Sequence, residues 1–179
     1  MLEHEFIAGC LRQDRSSQNH VYQRYGDKVF GVCKRYMKDK ERAEEMVMNA
    51  FLAVFKNISQ YKRDGSFEGW ILKIAVNCCL MELRKKTNFN TEVTTDAVQI
   101  PVYDERLTQC GDIDAMLRTL PEGARIIFNL YAIEGYKHTE IAKQLNISEG
   151  TSKSQLHYAK EKLKQAFFSP ATNKGSHER

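Results

Sequence analysis

The chain of 179 residues is 42% hydrophobic and 28% charged, ordinary for a soluble globular protein, and its length admits one domain or two small ones. No apolar run approaches the roughly 20 residues that span a membrane, and the opening MLEHEFIAGC carries acids where a signal peptide has a basic start, so neither membrane insertion nor export is expected and the cytoplasm is the expected location. The net charge of +4 says little about nucleic acid by itself, so the placement of the charges matters more.

With ten glycines and three prolines, long stretches lack breakers, and an all-α fold is expected. His4 to Leu11 and Asn19 to Tyr25 are weak helical stretches that supply the first helices. From Asp27 to Met37 the residues Val29, Phe30, Val32, Cys33, Tyr36 and Met37 recur at three- and four-residue intervals, the mark of one buried helical face. A stronger stripe comes next in Ala43, Met46, Val47, Ala50, Phe51, Val54, Phe55 and Ile58, with Glu44, Glu45, Asn49 and Lys56 off it. Gln60 to Ser66 reads as an exposed loop, because Asp64-Gly65 favours a turn and Ser66 can cap the next helix. That helix has Phe67, Trp70, Ile71, Ile74, Ala75, Cys78 and Met81 as its apolar face, and ends in Arg84, Lys85 and Lys86, where cations suit the helix dipole.

Periodicity fails from Thr87 to about Gly111, a stretch rich in Thr, Asn and Asp with Pro101 inside it, and this reads as a linker. Between Thr87 and Asp112 five acids face one base, so the linker is acidic within a basic protein. Helical pattern resumes at Ile113, Met116, Leu117 and Leu120, breaks at Pro121, and restarts through Ile126, Ile127, Leu130 and Tyr131 to a stop at Gly135. Thr139 to Leu145 then makes a short helix with Ile141, Ala142 and Leu145 inward. Asn146 and Ile147 turn the chain, and Ser148 caps a longer helix carrying Leu156, Ala159, Leu163 and Phe167 on one face. The expected fold class is therefore all-α, two small helical domains joined by a flexible linker, the C-terminal one a helix-turn-helix of winged-helix-like type. The expected bounds are 1–88, an acidic linker 89–111, a second domain 112–170 and a disordered tail 171–179.

Five cysteines, Cys10, Cys33, Cys78, Cys79 and Cys110, have no C-x-x-C spacing and read as reduced core residues. No metal spacing, Gly-rich phosphate loop or paired nucleophile and base is present, so no cofactor, no metal and no enzymatic activity are expected. Surface positions are the ordinary reading for His20 and His157.

In a helix-turn-helix the second helix lies in the major groove with its outward side chains on base edges and phosphates. The outward set here is Thr151, Lys153, Ser154, Gln155, His157, Tyr158 and Lys160, within a segment, Lys137 to Gln165, that holds six lysines against three glutamates. A solvated lysine-rich helix would show the same charge, but the turn, the cap and the small residues Ala142 and Gly150 favour DNA. A second basic segment, Lys62 to Lys86, sets Lys62, Arg63, Lys73, Arg84, Lys85 and Lys86 against three acids and interleaves Tyr61, Phe67 and Trp70. Aromatic faces beside cations suit unstacked bases. Spacing alone makes Phe67 and Trp70 core residues, whereas Tyr61 lies in the loop.

Three blocks in this order resemble the sigma-70 family. KERAEEMVMNAFLAVF is similar to its polymerase-binding helix, FEGWILKIAVNCCLMELRKK to its minus-ten reading helix, and LPEGARIIFNLYAIEGYKHTEIAKQLNISEGTSKSQLHYAKEKL to its minus-thirty-five domain. With only these two outer domains, the chain resembles the extracytoplasmic function subgroup. The resemblance implies an alternative sigma factor whose partners are core RNA polymerase and promoter DNA, monomeric when free, and it admits an anti-sigma factor, which in relatives is often membrane-linked and clamps both domains. It implies that Glu45, Met48, Asn49 and Leu52 dock on the polymerase clamp. Tyr61, Lys62, Ser66, Phe67, Trp70, Lys73, Asn77 and Arg84 would serve the minus-ten element, with Tyr61 to Phe67 forming the loop that captures a flipped base. Thr151, Lys153, Ser154, Gln155, His157, Tyr158 and Lys160 would read the minus-thirty-five duplex, and the acidic linker would occupy the RNA exit path.

The chain departs from the family pattern at several positions. Arg42 stands where Asp is usual, Met48 where Gln is, Met81 where Asp is common, Gln155 and Tyr158 where Arg is usual, Ser152 where an apolar residue is, and Lys137 where Ser or Thr caps a helix. Fewer guanidiniums mean fewer bidentate contacts, so promoter sequence does not carry over from relatives. The competing reading, a stand-alone helix-turn-helix regulator that binds a palindrome, explains the C-terminal half and leaves Tyr61, Asn77 and the basic aromatic helix without a role.

Overall fold

The computed structural model describes residues 2–37, 39–86 and 113–168, all helices and turns with no strand among them. The linker expected at 89–111, the tail at 171–179 and Cys110 lie outside the described residues. The chain divides into two units, 1–88 and 89–179.

In the first unit, α1 (Glu3–Leu11) buries Phe6, Ile7 and Cys10. Its first turn is closed by the Glu5 carboxylate, which accepts from the Leu2 N–H at 2.7 Å. The chain reverses through Gln13 at φ +59°, and Asp14 caps α2 (Arg15–Tyr36) by accepting from the Ser17 N–H at 2.8 Å and the Ser17 hydroxyl at 2.6 Å. Those hydrogen bonds, the side-chain one foremost, hold the Asp14 carboxyl below the usual carboxylate range. Gly9 is required by close approach, since a Cβ there would lie 1.9 Å from the Ser17 hydroxyl oxygen and 2.6 Å from its Cβ. The stretches Asn19–Tyr25 and Asp27–Met37, separate in the sequence reading, form one helix of 22 residues. Val21, Tyr25, Val29, Val32, Cys33 and Tyr36 make a buried stripe that runs past Gly26, and packing on both sides of the glycine outweighs its weak helix preference of about 1 kcal/mol.

Helix α3 (Lys40–Lys56) starts at Asp39, which accepts from the Arg42 N–H at 2.8 Å and pairs with the Arg42 guanidinium at 3.4 Å. Ala43, Met46, Val47, Ala50, Phe51 and Val54 are buried, and Ile58 adds to the core from a 3-10 turn, Ile58–Gln60. Ser66 opens α4 (Phe67–Lys86) by accepting from the Gly69 N–H at 3.3 Å. Helix α4 packs against both α2 and α3. Its buried residues, Phe67, Ile71, Ala75, Val76, Cys79, Leu80 and Leu83, therefore wrap more than half of its circumference. The expected apolar face was narrower and turned to one side, and Met81, placed on it by spacing, is instead 59% exposed. The thiols of Cys33 and Cys79 hydrogen-bond across α2 and α4, an arrangement that with burial pushes the Cys79 thiol far up, while burial pushes Cys10 up to about 11.

In the second unit, α5 (Ile113–Arg118) leads to Pro121, and α6 (Glu122–Phe128) continues into a π turn, Asn129–Ile133. The Glu134 N–H donates to the Asn129 carbonyl at 2.9 Å, and the wider turn leaves Tyr131 and Ile133 at 39% and 42% exposure. Gly135, at φ +77°, ends the segment. Helices α7 (His138–Leu145) and α8 (Glu149–Phe168) form the helix-turn-helix. Asn146 takes the left-handed conformation at φ +55°, its short amide side chain being suited to that region, and the Ser148 hydroxyl caps α8 by accepting from the Thr151 N–H at 2.9 Å. Leu117, Leu120, Ala124 and Ala159 form a small core, flanked by half-buried Phe128, Tyr158 and Leu163. Phe167, expected on the inward face of α8, is 70% exposed, because α8 outruns the core that buries Leu156 and Ala159.

Candidate nucleic-acid and protein interfaces

The loop before α4 and the outer strip of α4 build one surface. Phe67, one of the residues assigned to the minus-ten element, has no exposed surface at all and is corrected to a core residue. Its ring meets Phe6 and Tyr25, each at 5.9 Å, and stacks on Trp70 at 5.8 Å and 19°. Half-buried Tyr61 leans on Phe67 at 5.1 Å and on Trp70 at 5.4 Å. All these separations lie in the favourable range for ring pairs. The Tyr61 hydroxyl donates to the Gly65 carbonyl at 2.5 Å, which fastens the ring to its own loop. Partial burial, then the Glu3 and Asp64 carboxylates, push this phenol above its ordinary range, so it keeps its proton at neutral pH. Phe67 thus acts as a buttress, presenting Tyr61 and Trp70 at the surface.

From that cluster a strip runs along α4. At 3.6 residues per turn, Trp70, Lys73, Asn77, Met81 and Arg84 fall within about 80° of one another, and all but half-buried Trp70 are exposed. Lys62 and Ser66 are exposed in the loop beside it. Of the acids on α4, Glu68 pairs with Lys28 of α2 at 2.6 Å and Glu82 with Lys85 at 3.6 Å. The strip is thereby left cationic. Spacing missed Met81 as part of it, since methionine was counted toward the core, and missed Lys28, whose role depends on how α2 crosses α4.

A second surface lies on α3. Glu45, Met48, Asn49 and Leu52 all face outward, Met48 at 55% and Leu52 at 66% exposure. Met48 and Leu52 line a shallow groove between α2 and α3 with Arg15, Tyr22, Phe51 and Phe55. Tyr22 is 42% exposed, its ring 4.9 Å from Phe51, and belongs to this apolar patch although its weak helical stretch gave no sign of it. An exposed apolar patch with a polar margin of this kind suits a partner helix.

The third surface is α8. Ser154 and His157 sit centrally on its outer arc with Lys153 and Lys160 on one flank, all exposed. Thr151, Gln155 and Tyr158, read as outward, are half-buried on the other flank. Thr151 is held by the Ser148 hydroxyl at 2.9 Å, and Tyr158 packs on the small core with Lys162 Nζ 5.8 Å from its ring centre. Lys153 reaches Glu149 at 3.9 Å, a weak exposed pair. Ser152 is fully buried, and its hydroxyl meets His138 Nδ1 at 2.8 Å, so the polar atom at this normally apolar position is satisfied. The His138 ring stacks on Tyr131 at 4.5 Å, and Lys160 Nζ lies 5.7 Å from the Tyr131 ring centre. These contacts tie the start of α7 and the π turn to α8. Lys137 offers no acceptor as a cap, and the Glu140 carboxylate replaces it by accepting from the Lys137 N–H at 2.8 Å.

Among the described residues no three His, Cys, Asp or Glu side chains converge as a metal site, and no helix is long and apolar enough to cross a membrane.

The family profile of Sigma-70 region 2 matches residues 21–89, and that of Sigma-70, region 4 matches residues 110–163, about two thirds of the chain between them. The ECF RNA polymerase sigma factor SigE of Mycolicibacterium smegmatis is 27% identical over 156 residues, which cover 83% of this chain and 60% of that protein. The ECF RNA polymerase sigma factor SigW of Bacillus subtilis is 24% identical over 174 residues, covering 89% of this chain and 93% of that one. Among solved structures, the sigma factor RpoE of Bartonella quintana, in complex with the anti-sigma factor NepR, is similar in fold with a TM-score of 0.51 at 15% identity, over 83% of this chain and 94% of that chain.

Proposed function

The chain belongs to the sigma-70 family, and on that footing we propose that it is an alternative sigma factor of the extracytoplasmic function subgroup, which joins core RNA polymerase, recognises and helps melt promoter DNA, and directs the start of transcription. One observation carries this reading. The same chain bears an aromatic and cationic strip rooted in Phe67 and a helix-turn-helix with an exposed, lysine-flanked arc. The first suits a base pulled out of the duplex, because any base stacks on a ring while cations follow the backbone. The second suits an intact major groove.

In this reading Glu45, Met48, Asn49 and Leu52, joined by Tyr22, dock on polymerase. Tyr61 and Trp70 hold the unstacked base, and Lys62, Ser66, Lys73, Asn77 and Arg84 guide the adjoining strand. On α8, Ser154, His157, Lys153 and Lys160 meet the minus-thirty-five duplex, while Thr151, Gln155 and Tyr158 set its edge. The protein works in the cytoplasm without a cofactor and performs no covalent step of its own. An anti-sigma factor that covers these surfaces is part of the proposal, in keeping with the complex in which the RpoE relative was solved.

The test is run-off transcription from genomic templates with core polymerase and the full chain. Specific transcripts that need both are expected; none, together with tight binding of a palindromic duplex in the absence of polymerase, would establish the stand-alone regulator instead. Tyr61→Ala should lower open-complex formation by roughly tenfold, the worth of one base stack, without weakening polymerase binding, and a Glu45→Ala, Leu52→Ala double variant should do the reverse.

A further inference from the structure

Met48 stands where two grooves between α2 and α3 meet. With Tyr22 it lines both the groove that holds Phe51, Leu52 and Phe55 and a neighbouring, more polar one that holds Phe30 and Val47. Among the described methionines, Met37 and Met46 are buried and Met116 is half-buried, so only Met48 and Met81 offer their thioethers openly to water. Met81 lies on a polar strip between exposed Asn77 and Arg84, where one more polar group changes little. Met48 lies in the middle of the patch proposed to dock on polymerase.

No residue lining either groove besides Met48 carries sulfur, so it is the point of the patch that a peroxide attacks. The thioether lone pair takes one oxygen from the peroxide: the S–O bond forms, the O–O bond breaks, the sulfur is oxidised to the sulfoxide and the peroxide leaves as water. No deprotonation is needed, so exposure governs the rate, and the buried thiols Cys10, Cys33 and Cys79 are screened. The product sets a strong acceptor oxygen where an apolar, pliable side chain stood. An apolar partner surface gives that oxygen no donor, and burying it unpaired opposes docking. We infer that Met48 is a reversible oxidation site whose sulfoxide uncouples this chain from core polymerase. The inference rests on the sigma-factor reading and adds to it a control that acts on the free chain alone, since docked polymerase covers the sulfur.

In the experiment hydrogen peroxide is applied to the free full chain and to holoenzyme rebuilt with core polymerase, then removed with catalase, and the oxygen gained by each methionine peptide is read by mass spectrometry. In the free chain Met48 should oxidise well before Met37 and Met46, and in holoenzyme it should be spared. Titration with core polymerase should show the oxidised chain binding roughly tenfold more weakly than the untreated one, the low end for burying an unpaired polar group. Methionine sulfoxide reductases for both epimers, driven by dithiothreitol, should restore the affinity, and dithiothreitol alone should not. Each variant is compared with its own untreated form: peroxide should leave the affinity of Met48→Leu where it was and weaken that of Met81→Leu as it weakens the wild type. The proposal is overturned if Met48 oxidises no faster than Met37 and Met46, if it oxidises as fast in holoenzyme as in the free chain, if the oxidised chain binds polymerase undiminished, if Met48→Leu loses affinity as the wild type does, or if dithiothreitol alone restores binding. Failure of the untreated chain to bind core polymerase would instead remove the sigma-factor reading, and this inference with it.

Discussion

In residues 2–86 the solvent-facing rings of Tyr61 and Trp70 rest directly on Phe67, which touches Phe6 and Tyr25 in the heart of the unit. In residues 113–168 the outer arc of α8 stands apart from its core, because Ser154, His157, Lys153 and Lys160 are exposed while Ser152, Leu156 and Ala159 do the packing. The difference concerns how far binding and stability can be separated. In the first unit the residues proposed to hold a base share one cluster with the core, so damage to one is damage to the other. In the second, the proposed recognition residues of the outer arc, Ser154, His157, Lys153 and Lys160, can change while the fold stays put.

The severest test of that contrast is Phe67→Ala. It should cost about 3 to 5 kcal/mol and lose promoter opening together with the cooperative unfolding of the first unit. The buried thiols Cys10, Cys33 and Cys79 read the effect locally. In the native chain they should resist alkylation at neutral pH, and in Phe67→Ala they should label rapidly. If the variant opened promoters normally while its thiols labelled, the link between cluster and site would be broken.

Gly9→Ala comes next. The Ser17 side chain stands in the way of the new Cβ, so a loss of about 1 to 3 kcal/mol is expected by urea denaturation, again with faster thiol labelling. Ser152→Ala should cost about 1 to 2 kcal/mol, since it leaves the His138 nitrogen without its partner, and the loss should fall on the second unit while thiol labelling stays slow. Smallest in stability is Lys153→Ala, within about 0.5 kcal/mol. It should nevertheless weaken duplex binding across sequences and reduce the slope of log affinity against log salt by about 1. A melting shift as large as that of Ser152→Ala would mean that recognition and packing are as entangled in α8 as they are around Phe67.

Much of this was legible in the chain itself, and the failures have physical causes. The stripe from Ala43 to Val54 could be read because α3 buries a single narrow face. The turn at Asn146 could be read because few residues tolerate a left-handed backbone and Ser148 stands two positions later as a cap. Met81 could not be placed, since α4 is covered from two sides and periodicity cannot centre a face wider than half a helix. Glycine hid the continuity of α2, because the packing of Tyr25 and Val29 on either side of Gly26 is a tertiary effect. The π turn at Asn129–Ile133 shifts Tyr131 off the stripe that a regular helix would give it. Phe67 and Trp70 both obey helical spacing, and only the crossing of α1 and α2 over α4 decides that the first is interior and the second is at the edge.

The chain contains one tryptophan, and it is Trp70, stacked on Phe67 and half open to solvent. Its indole emission is therefore an optical gauge built into the protein. A nucleobase arriving on its free face should quench the signal, whereas loosening of the ring cluster should shift it to longer wavelength, so a stopped-flow trace without any added dye would time the opening of DNA separately from the opening of the protein.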